Sequence, residues 1–373
     1  MQDNRYRELA HELVAYAVAI APGEKVLLEI KGKDVLLTKE LLKAVYQAGG
    51  QPFLQLTDER LEKEWLLAAD DEMMALRATW EAARMKEMDA YIAVRSRDNL
   101  YDMKGIDDSI QDRYDRLFVK PVHYDIRVPK TKWVILGYPN ASMAQSASMP
   151  TEEFEDFYFK ACCFDYAKFS AAMTPLKALL DQGEKVRIIG HGVDLRFSIK
   201  GIAAVKCDGH FNIPDGEVFT APVKDSVEGY ITYNTASPNR GQIFSGVTLH
   251  FEQGRIVDAD CSSGDKKSLQ AILDSDPGAR YIGEFAFGLH PYIQKPMMDI
   301  LFDEKIYGSF HLTPGNCYDS CDNGNYSTIH WDMVYIMRKE YGGCEIYVDD
   351  ELIEKDGIFV REDLKGLNRE NLI

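Results

Sequence analysis

Residues 306–334 read IYGSFHLTPGNCYDSCDNGNYSTIHWDMV, and the rest of the fold is interpreted outward from this stretch. Two runs in which apolar and polar residues alternate, GSFHLT and IHWDMV, flank a loop rich in Gly, Asn, Asp and Cys. Alternation with a period of two is typical of half-buried β-strands. The stretch therefore predicts two adjacent strands, with His311 on the first and His330 and Asp332 on the second.

His330 and Asp332 are separated by one residue, so on a strand their side chains point to the same face. The apolar residues on either side of them then face the opposite way, into packing. Imidazole nitrogen and carboxylate oxygen are the ligands of catalytic zinc, cobalt, manganese or iron. We therefore expect His311, His330 and Asp332 to supply half of a metal site, with the other half supplied by more distant residues.

The sequence around this stretch is rich in strands. From residue 185 onward, short strands and Gly-containing turns dominate, with a single predicted helix at about 264–275. TLHFE and RIVDADC, joined by Gln253-Gly254, predict a hairpin, and CEIYVDDELIEKDGIFV repeats the pattern near the C-terminus. This half is predicted to be a β-rich domain that carries the metals.

The first half of the sequence has a different texture, in which short apolar strands alternate with amphipathic helices. The predicted strands are KVLLEI (25–30), PFLQLT (52–57), AYIAVRS (90–96) and TKWVILGYP (131–139). This alternation predicts an α/β domain with a mainly parallel sheet. Neither GxGxxG nor a P-loop follows its strands, which favours a scaffold or a lid over a nucleotide site. We place the boundary near Gly183, giving domains 1–183 and 184–373.

Composition limits the partners of the protein. The chain has 373 residues and a formal net charge of −17, which disfavours nucleic acid and anionic lipid as partners. It has no run of 18 apolar residues, and its first residues lack the apolar region of a signal peptide, so we expect a cytoplasmic protein without membrane contact. The seven cysteines are expected to be reduced thiols.

Two glutamates in the second half of the sequence are unusual because apolar residues surround them. Glu217 lies in NIPDGEVFTAPV and Glu284 in ARYIGEFAFGLHP, and each follows a glycine and precedes an apolar strand. A buried carboxylate without a partner is unfavourable by several kcal/mol or more. Metal coordination would stabilise these carboxylates, and so would a salt bridge or a solvent-facing strand position. The residues alone leave these alternatives open.

Taken together, the motifs resemble the thermophilic-aminopeptidase family of dinuclear metallopeptidases, which includes aminopeptidases T, S and II. The similar segments, in the order of the family, are DLRFSIKG (194–201), DGEVFTAPV (215–223), GQIFSGVTLHFEQGRIVDADC (241–261), IGEFAFG (282–288), DEKIYGSFHLTPGNCYD (303–319) and GNYSTIHWDMV (324–334). The resemblance covers nearly the whole chain. It implies an aminopeptidase that hydrolyses N-terminal residues from short peptides, and a homodimer whose partner subunit helps to enclose the cavity.

The resemblance also implies which residues hold two divalent metals, Zn, Co or Mn. Carried over motif by motif, the ligands are Glu217, Glu284, His311, Tyr318, His330 and Asp332. Glu284 is expected to bridge the metals or act as the base. Tyr318 is expected to bind as a phenolate or to donate to the oxyanion of the transition state.

Two other hypotheses start from the same residues. His311, His330 and Asp332 would suit the facial triad of a mononuclear Fe(II) ring-cleaving dioxygenase. The two glutamates are superfluous in that hypothesis, which favours the peptidase. The third hypothesis is a non-catalytic metal-binding relative that retains the ligands without turnover.

Overall fold

A computed structural model of the protein describes residues 3–32, 34–96, 98–99, 101–239 and 241–373. The α-helices are α1 Asn4–His11, α2 Leu36–Gln47, α3 Glu59–Ala68, α4 Asp71–Met85, α5 Asp108–Tyr114, α6 Val128–Lys130, α7 Ala141–Ser146, α8 Thr151–Cys162, α9 Tyr166–Gln182, α10 Lys266–Leu273, α11 Ile300–Asp303 and α12 Arg369–Leu372. Two π-helical segments, Glu12–Ala17 and Asp115–Arg127, extend α1 and α5. Short 3-10 helices span Asp319–Cys321, Lys339–Tyr341 and Glu362–Leu367.

The strands of the first part of the chain are β1 Lys25–Lys31, β2 Gln51–Thr57, β3 Ala90–Arg95, β4 Lys132–Gly137, β5 Lys185–Gly190, β6 Val193–Ser198, β7 Val205–Cys207, β8 Asn212–Ile213, β9 Glu217–Thr220 and β10 Glu228–Thr232. Those that follow are β11 Ala236–Asn239, β12 Gln242–Ser245, β13 Thr248–Glu252, β14 Arg255–Asp260, β15 Ile282–Gly288, β16 Ser309–Pro314, β17 Val334–Ile336, β18 Cys344–Val348, β19 Glu351–Lys355 and β20 Ile358–Phe359.

Contacts divide the chain into two compact units. The first contains Met1–Phe164 and Gly209–Pro214, and the second contains Asp165–Asp208 and Asp215–Ile373. The division falls before α9, whereas the expected boundary lies after it, near residue 183. Helix α9 belongs to the second unit because it packs there: Phe169 contacts His290 edge-to-face, with ring centroids 6.1 Å apart.

The first unit is an α/β structure. Its sheet has the order β2-β1-β3-β4-β8, and all neighbouring strands run parallel. Strands β1 and β3 are buried along most of their length, as parallel strands with both faces covered usually are. Leu27 and Tyr91 of these strands pack with Met85 of α4 and Ile126 of the second π-helical segment. The predicted parallel sheet is confirmed.

The second unit is built from antiparallel sheets. An eight-stranded sheet has the order β14-β13-β10-β6-β5-β18-β19-β20, a five-stranded sheet has the order β17-β16-β15-β9-β7, and β11 and β12 form a ribbon. The two large sheets meet through buried aromatic side chains, with the rings of Phe197 on β6 and Phe285 on β15 5.1 Å apart. The predicted β-rich half is therefore observed.

The hairpin predicted at Gln253-Gly254 is also observed. Strands β13 and β14 pair antiparallel, and the two turn residues have φ values of +48° and +77°. A two-residue turn with left-handed backbone at both positions matches the twist of the strands that it joins. The local sequence is sufficient to specify this turn.

Two long stretches with a helix-forming sequence each contain two helices in the structure. The region from Asp58 to about Glu87 forms α3 and α4, and Asp70 between them accepts a hydrogen bond from the backbone N–H of Met73 as the N-cap of α4. The region 149–182 forms α8 and α9, with Asp165 as the N-cap of α9. In both cases an aspartate inside the apolar pattern begins a new helix.

No helix in the described ranges is both long enough and apolar enough to span a membrane. All seven cysteines lie in those ranges, and none of them forms a disulfide. Cys317 and Cys321, which flank Tyr318, are buried.

Candidate metal centre

Three neighbouring strands of the five-stranded sheet carry the predicted acidic and imidazole side chains. Glu217 begins β9, Glu284 lies on β15 and His311 lies on β16. In the antiparallel register Glu217 is opposite Gly288 and His311 is opposite Ala286, while Glu284 precedes Ala286 by two residues. Residues opposite each other, or two apart on one strand, share a face. The three side chains therefore project from one face of the sheet.

The glycine before Glu284 has a structural reason. The pairing of β15 with β16 shifts register between Ile282 and Glu284, so Gly283 is the extra residue of a β-bulge. A Cβ atom at Gly283 would lie 2.2 Å from the carbonyl oxygen of Asn316, which excludes any larger residue without movement of the backbone. The close approach at Gly283 fixes Glu284 next to the loop that follows β16.

That loop leads to His330 and Asp332. The strand predicted for these two residues is an extended segment without regular strand pairing. The regular strand β17 begins only at Val334, and His330 makes an isolated bridge to Gly315. The N–H of Trp331 donates to the carbonyl of Pro314, so the segment stays extended along β16 without regular pairing. The orientation predicted for its side chains still holds, because Trp331 and Met333 are buried in the core.

The side chains converge around Glu284. Its Oε1 lies 2.9 Å from Nε2 of His311, and its Oε2 lies 3.5 Å from Nε2 of His330. His311 Nε2 is also 3.6 Å from Oε2 of Glu217, and His330 Nε2 is 3.1 Å from Oδ1 of Asp332. Five of the six predicted residues thus form one cluster in which Glu284 faces both histidines.

Two further groups orient the outer part of the cluster, and neither was identified from the sequence. Thr313 donates its hydroxyl proton to Oδ1 of Asp332 at 2.7 Å, and Nδ1 of His330 lies 2.9 Å from the carbonyl oxygen of Asn316. A backbone carbonyl at Nδ1 favours the tautomer that leaves Nε2 free as a ligand. Thr313 could have been found by strand periodicity, since it follows His311 by two residues.

The charges and the burial of the cluster shift the pKa values of its side chains. Burial lowers the pKa of His311, but the hydrogen bond and charge of Glu284 and the charge of Glu217 outweigh this and raise it to about 9. For His330 the effect of burial is outweighed chiefly by Asp332, and the pKa rises to about 10. Burial, followed by the charge of Glu304, raises the pKa of Glu217 well above its usual range. The two histidine shifts are thus responses to the neighbouring carboxylates, whereas the Glu217 shift is first of all a response to burial.

The donor set fits divalent cations. Oxygen and nitrogen atoms of Glu217, Glu284 and His311 lie within 4.8 Å of one another, and so do those of Glu284, His330 and Asp332. Glu284 belongs to both groups. Within the described part of the chain, the buried Oε2 atoms of Glu217 and Glu284 have no hydrogen-bond donor, which is costly for carboxylates. Cations bound between these oxygens and the imidazoles would remove that cost.

Tyr318 occupies a different position from the other predicted ligands. It is half-exposed, and its ring lies against those of His330 and Phe219, with centroids 4.9 and 5.5 Å away. Burial of the hydroxyl, together with the charges of Glu284 and Asp332, raises the pKa of Tyr318. The side chain therefore borders the cluster as a neutral phenol.

A buried lysine on the inner side of the cluster also went unrecognised in the sequence. Lys305 has no exposed side-chain surface; its Nζ contacts Oε1 of Glu304 and lies 4.0 Å from Oδ1 of Asp215. Its charge lowers the pKa of Glu217, opposing the effects of burial and Glu304. No periodic pattern marks this lysine, because it follows the short helix α11 in an irregular segment.

The remaining candidates take other roles. Cys207, Asp215 and Glu217 form a third group of neighbouring donor atoms, next to the Lys305 side chain. His290 is buried, its Nδ1 accepts a hydrogen bond from the N–H of Tyr292, and it joins none of the donor groups found among the described residues. The triad expected for a mononuclear iron site is divided, since His311 falls in one group and His330 and Asp332 in the other.

Comparison with known proteins supports the metal-binding role that the geometry indicates. Residues 2–359 match the family described as thermophilic metalloprotease (M29). The chain is similar to aminopeptidase AmpS of Bacillus subtilis (strain 168), with 27% identity over 351 residues, which cover 84% of this chain and 84% of the relative. It is also similar to aminopeptidase T of Thermus aquaticus, with 34% identity over 111 residues, 29% of this chain and 26% of the relative.

Among solved structures, wild-type AmpT from Thermus thermophilus has a similar fold. The TM-score is 0.78 at 22% sequence identity, and the superposition covers 96% of this chain and 99% of that chain. A match over nearly the whole length of both chains shows that the two folds correspond throughout.

Proposed function

This chain belongs to the thermophilic metalloprotease family (M29), and from that premise we propose that it is a two-metal aminopeptidase that releases N-terminal residues from short peptides. The observation that carries the proposal is the position of Glu284, whose two carboxylate oxygens face different histidines. A carboxylate shared between two donor groups is an arrangement that suits a pair of neighbouring ions.

In the proposed site Glu217, Glu284 and His311 hold one ion, and Glu284, His330 and Asp332 hold the other, with Tyr318 beside them. The nitrogen and oxygen donors suit zinc, cobalt or manganese. Divalent ions bound there would polarise the peptide carbonyl and lower the pKa of the attacking water.

The side chains of the protein have separate tasks in this proposal. Glu284 either bridges the two halves of the site or acts as the base that accepts the proton of the attacking water. Tyr318, kept neutral by its surroundings, donates a hydrogen bond to the developing oxyanion. Thr313 and the carbonyl of Asn316 hold Asp332 and His330 in their orientations.

The preference for a free N-terminus follows from the proposed ions. The carboxylates of Glu217, Glu284 and Asp332 give the metal-free cluster its negative potential, and two divalent cations would neutralise it. A free α-amine would then bind as a neutral nitrogen ligand next to the polarised carbonyl, whereas the amide nitrogen of an internal peptide bond is a poor ligand. This supports cleavage at the amino end of the peptide.

The direct test measures metal content and activity together. Dialysis against a chelator should abolish hydrolysis of L-leucyl-p-nitroanilide, and addition of Zn²⁺, Co²⁺ or Mn²⁺ should restore it with two ions per chain by elemental analysis. One iron per chain, with oxygen-dependent ring cleavage, would instead establish the dioxygenase. Two bound ions without any peptide hydrolysis would indicate the non-catalytic relative.

We also propose that the chain forms a homodimer in the cytoplasm. The resemblance to the aminopeptidase family supports the dimer, and the free thiols of all seven cysteines are typical of a reducing compartment. Sedimentation equilibrium gives the oligomeric state: a mass of twice 42.3 kDa is expected, and a single-chain mass at micromolar concentration contradicts the dimer.

A further inference from the structure

A small cavity lies beside the ligand cluster and shares part of its wall with it. The cavity has a volume of about 130 Å³, and His330 and Asp332 form one side. The rest of its wall is mainly apolar: besides the polar residues Asn239 and Asp303, it contains Ala236, Pro238, Ile300, Trp331 and Val334. Three of these residues come from strand β11, which lies outside the large sheets.

We infer that this cavity receives the side chain of the N-terminal residue of the substrate, and that it selects aliphatic side chains of the size of valine and leucine. The inference rests on the proposed aminopeptidase function. In an N-terminal residue the side chain branches from the carbon between the α-amine and the scissile carbonyl. If those two groups are held at the metal ligands, the side chain has to enter a space that borders the same ligands.

The volume sets the size limit. An engineered apolar cavity of about 150 Å³ in another protein holds a benzene molecule. The present cavity is slightly smaller, so a branched chain of three or four carbons fits, a phenyl ring is tight, and an indole ring exceeds the space. Ile300 at the rim is partly exposed, and it is the wall residue whose truncation would enlarge the cavity with least disturbance of the core.

The polar groups of the wall are already engaged in ways that disfavour charged side chains. Asp303 is buried, and its two oxygens accept hydrogen bonds from the N–H groups of Met297 and Met298 at 2.5 and 3.0 Å. Asp332 accepts from Thr313. An acidic side chain would face both aspartates, and a lysine would lose its hydration next to carboxylates that already accept hydrogen bonds from the protein. The preference for aliphatic residues therefore follows from polarity as well as size.

The test compares kcat/KM for the p-nitroanilides of glycine, leucine, phenylalanine and lysine. The enzymes are the metal-loaded wild type, Ala236→Leu, which fills the cavity, and Ile300→Ala, which widens it. We expect the wild type to prefer leucine. Ala236→Leu should lower the leucine-to-glycine ratio roughly 10-fold or more, the scale set by one or two methylene groups in an apolar pocket. Ile300→Ala should raise the phenylalanine-to-leucine ratio.

Ile243→Ala is the matched control. Ile243 is exposed on β12, directly opposite Pro238 in the same two-stranded ribbon, but it is not part of the cavity wall. Its replacement should leave both ratios unchanged. Circular dichroism of each variant shows whether the fold is retained, and Ile300→Ala tests the inference independently if Ala236→Leu does not fold.

A measurement that does not need turnover separates this inference from the proposed reaction. Calorimetry gives the affinities of L-leucine hydroxamate and glycine hydroxamate for the same proteins. Selective loss of leucine hydroxamate affinity in Ala236→Leu supports the cavity even if no variant hydrolyses peptides, in which case the proposed function fails alone. The inference is wrong if the enzyme hydrolyses the substrates but neither cavity variant changes the leucine-to-glycine or phenylalanine-to-leucine ratio of kcat/KM. It is also wrong if the enzyme prefers lysine. Either result leaves the proposed aminopeptidase function unaffected.

Discussion

Oε1 of Glu284 lies 2.9 Å from Nε2 of His311, so the two residues join neighbouring strands of the same sheet through their side chains. The other oxygen of Glu284 faces His330, on the segment beyond the loop. One carboxylate thus connects both halves of the candidate centre. A change at Glu284 is therefore expected to affect both donor groups at once.

Glu284→Gln keeps the size of the side chain and removes its charge. We expect kcat/KM to fall about 100-fold or more, the lower range for loss of a general base, with a lower metal content as well. Glu345→Gln is a matched control, because Glu345 is partly exposed on β18 of the other large sheet and is paired with Lys355. Full activity and two ions per chain in Glu284→Gln would show that the bridge is not needed.

Metal loading should release protons. Without metal, the pKa values of His311 and His330 are raised to about 9 and about 10, so both imidazoles are protonated at pH 7.5. Metal ligation requires neutral imidazole. Roughly two protons per chain should leave the histidines, with a further one from Glu217, whose pKa is also raised. Calorimetric titration with Zn²⁺ in buffers of different ionisation enthalpy counts them, and a heat independent of the buffer contradicts this prediction.

The same shifts predict how the stability of the metal-free protein depends on pH. A histidine whose folded pKa is above the unfolded value of about 6.5 stabilises the fold fully below that pH. The contribution is lost as pH rises through about 9 for His311 and about 10 for His330. The Tm of the metal-free protein should therefore fall between pH 6.5 and 10. The Tm of the metal-loaded protein, whose histidines are neutral throughout, should fall less over the same range. If the Tm of both forms depends on pH in the same way, the histidines are not the cause of the decrease.

Tyr318→Phe removes one hydroxyl group from the border of the cluster. If the phenol donates to the oxyanion, kcat should fall about 100- to 1000-fold, as for the loss of one oxyanion donor, with little change in metal content. Tyr326→Phe is the control, since its exposed hydroxyl donates to Asp322 outside the cluster. Loss of one metal in Tyr318→Phe would instead make the tyrosine a ligand.

Lys305→Met tests the buried cation behind the site. Its removal takes the cation away from the largely buried Glu304, and loss of one member of a buried pair costs about 3–5 kcal/mol. The urea midpoint of the metal-free protein should fall accordingly. Lys339→Met, at a highly exposed position, should change it little. Equal midpoints for the two variants would mean that the Glu304 carboxylate is protonated and needs no counter-charge.

The sequence predicted the parts of this protein that depend on periodicity and local turn chemistry. Alternation predicted β16 correctly, and the parallel sheet followed from strands separated by helices. His311, His330 and Asp332 were indicated by residue type and spacing, whereas the roles of Glu217 and Glu284 were assigned through family resemblance, because the glutamates alone were compatible with salt bridges or exposure. Their convergence depends on the register of β9, β15 and β16, which no local pattern specifies.

The predictions that failed concern positions where tertiary contacts override the pattern. The strand predicted at 329–334 is irregular because His330 makes only an isolated bridge to Gly315. Lys305 was overlooked because sequence alone does not reveal burial of a lysine, which is normally exposed. Thr313 was overlooked for a different reason: its partner Asp332 comes from another segment.

The candidate ligands come from strands and a loop that are far apart along the chain, so the centre exists only when the whole sheet has assembled. Partly folded or truncated chains then lack a high-affinity binding place, and metal uptake becomes the last event of maturation. Ions that bind only the native state shift the folding equilibrium towards it by mass action. The supply of metal in the cell would therefore govern how long each copy of the enzyme survives proteolysis, in addition to whether that copy is active.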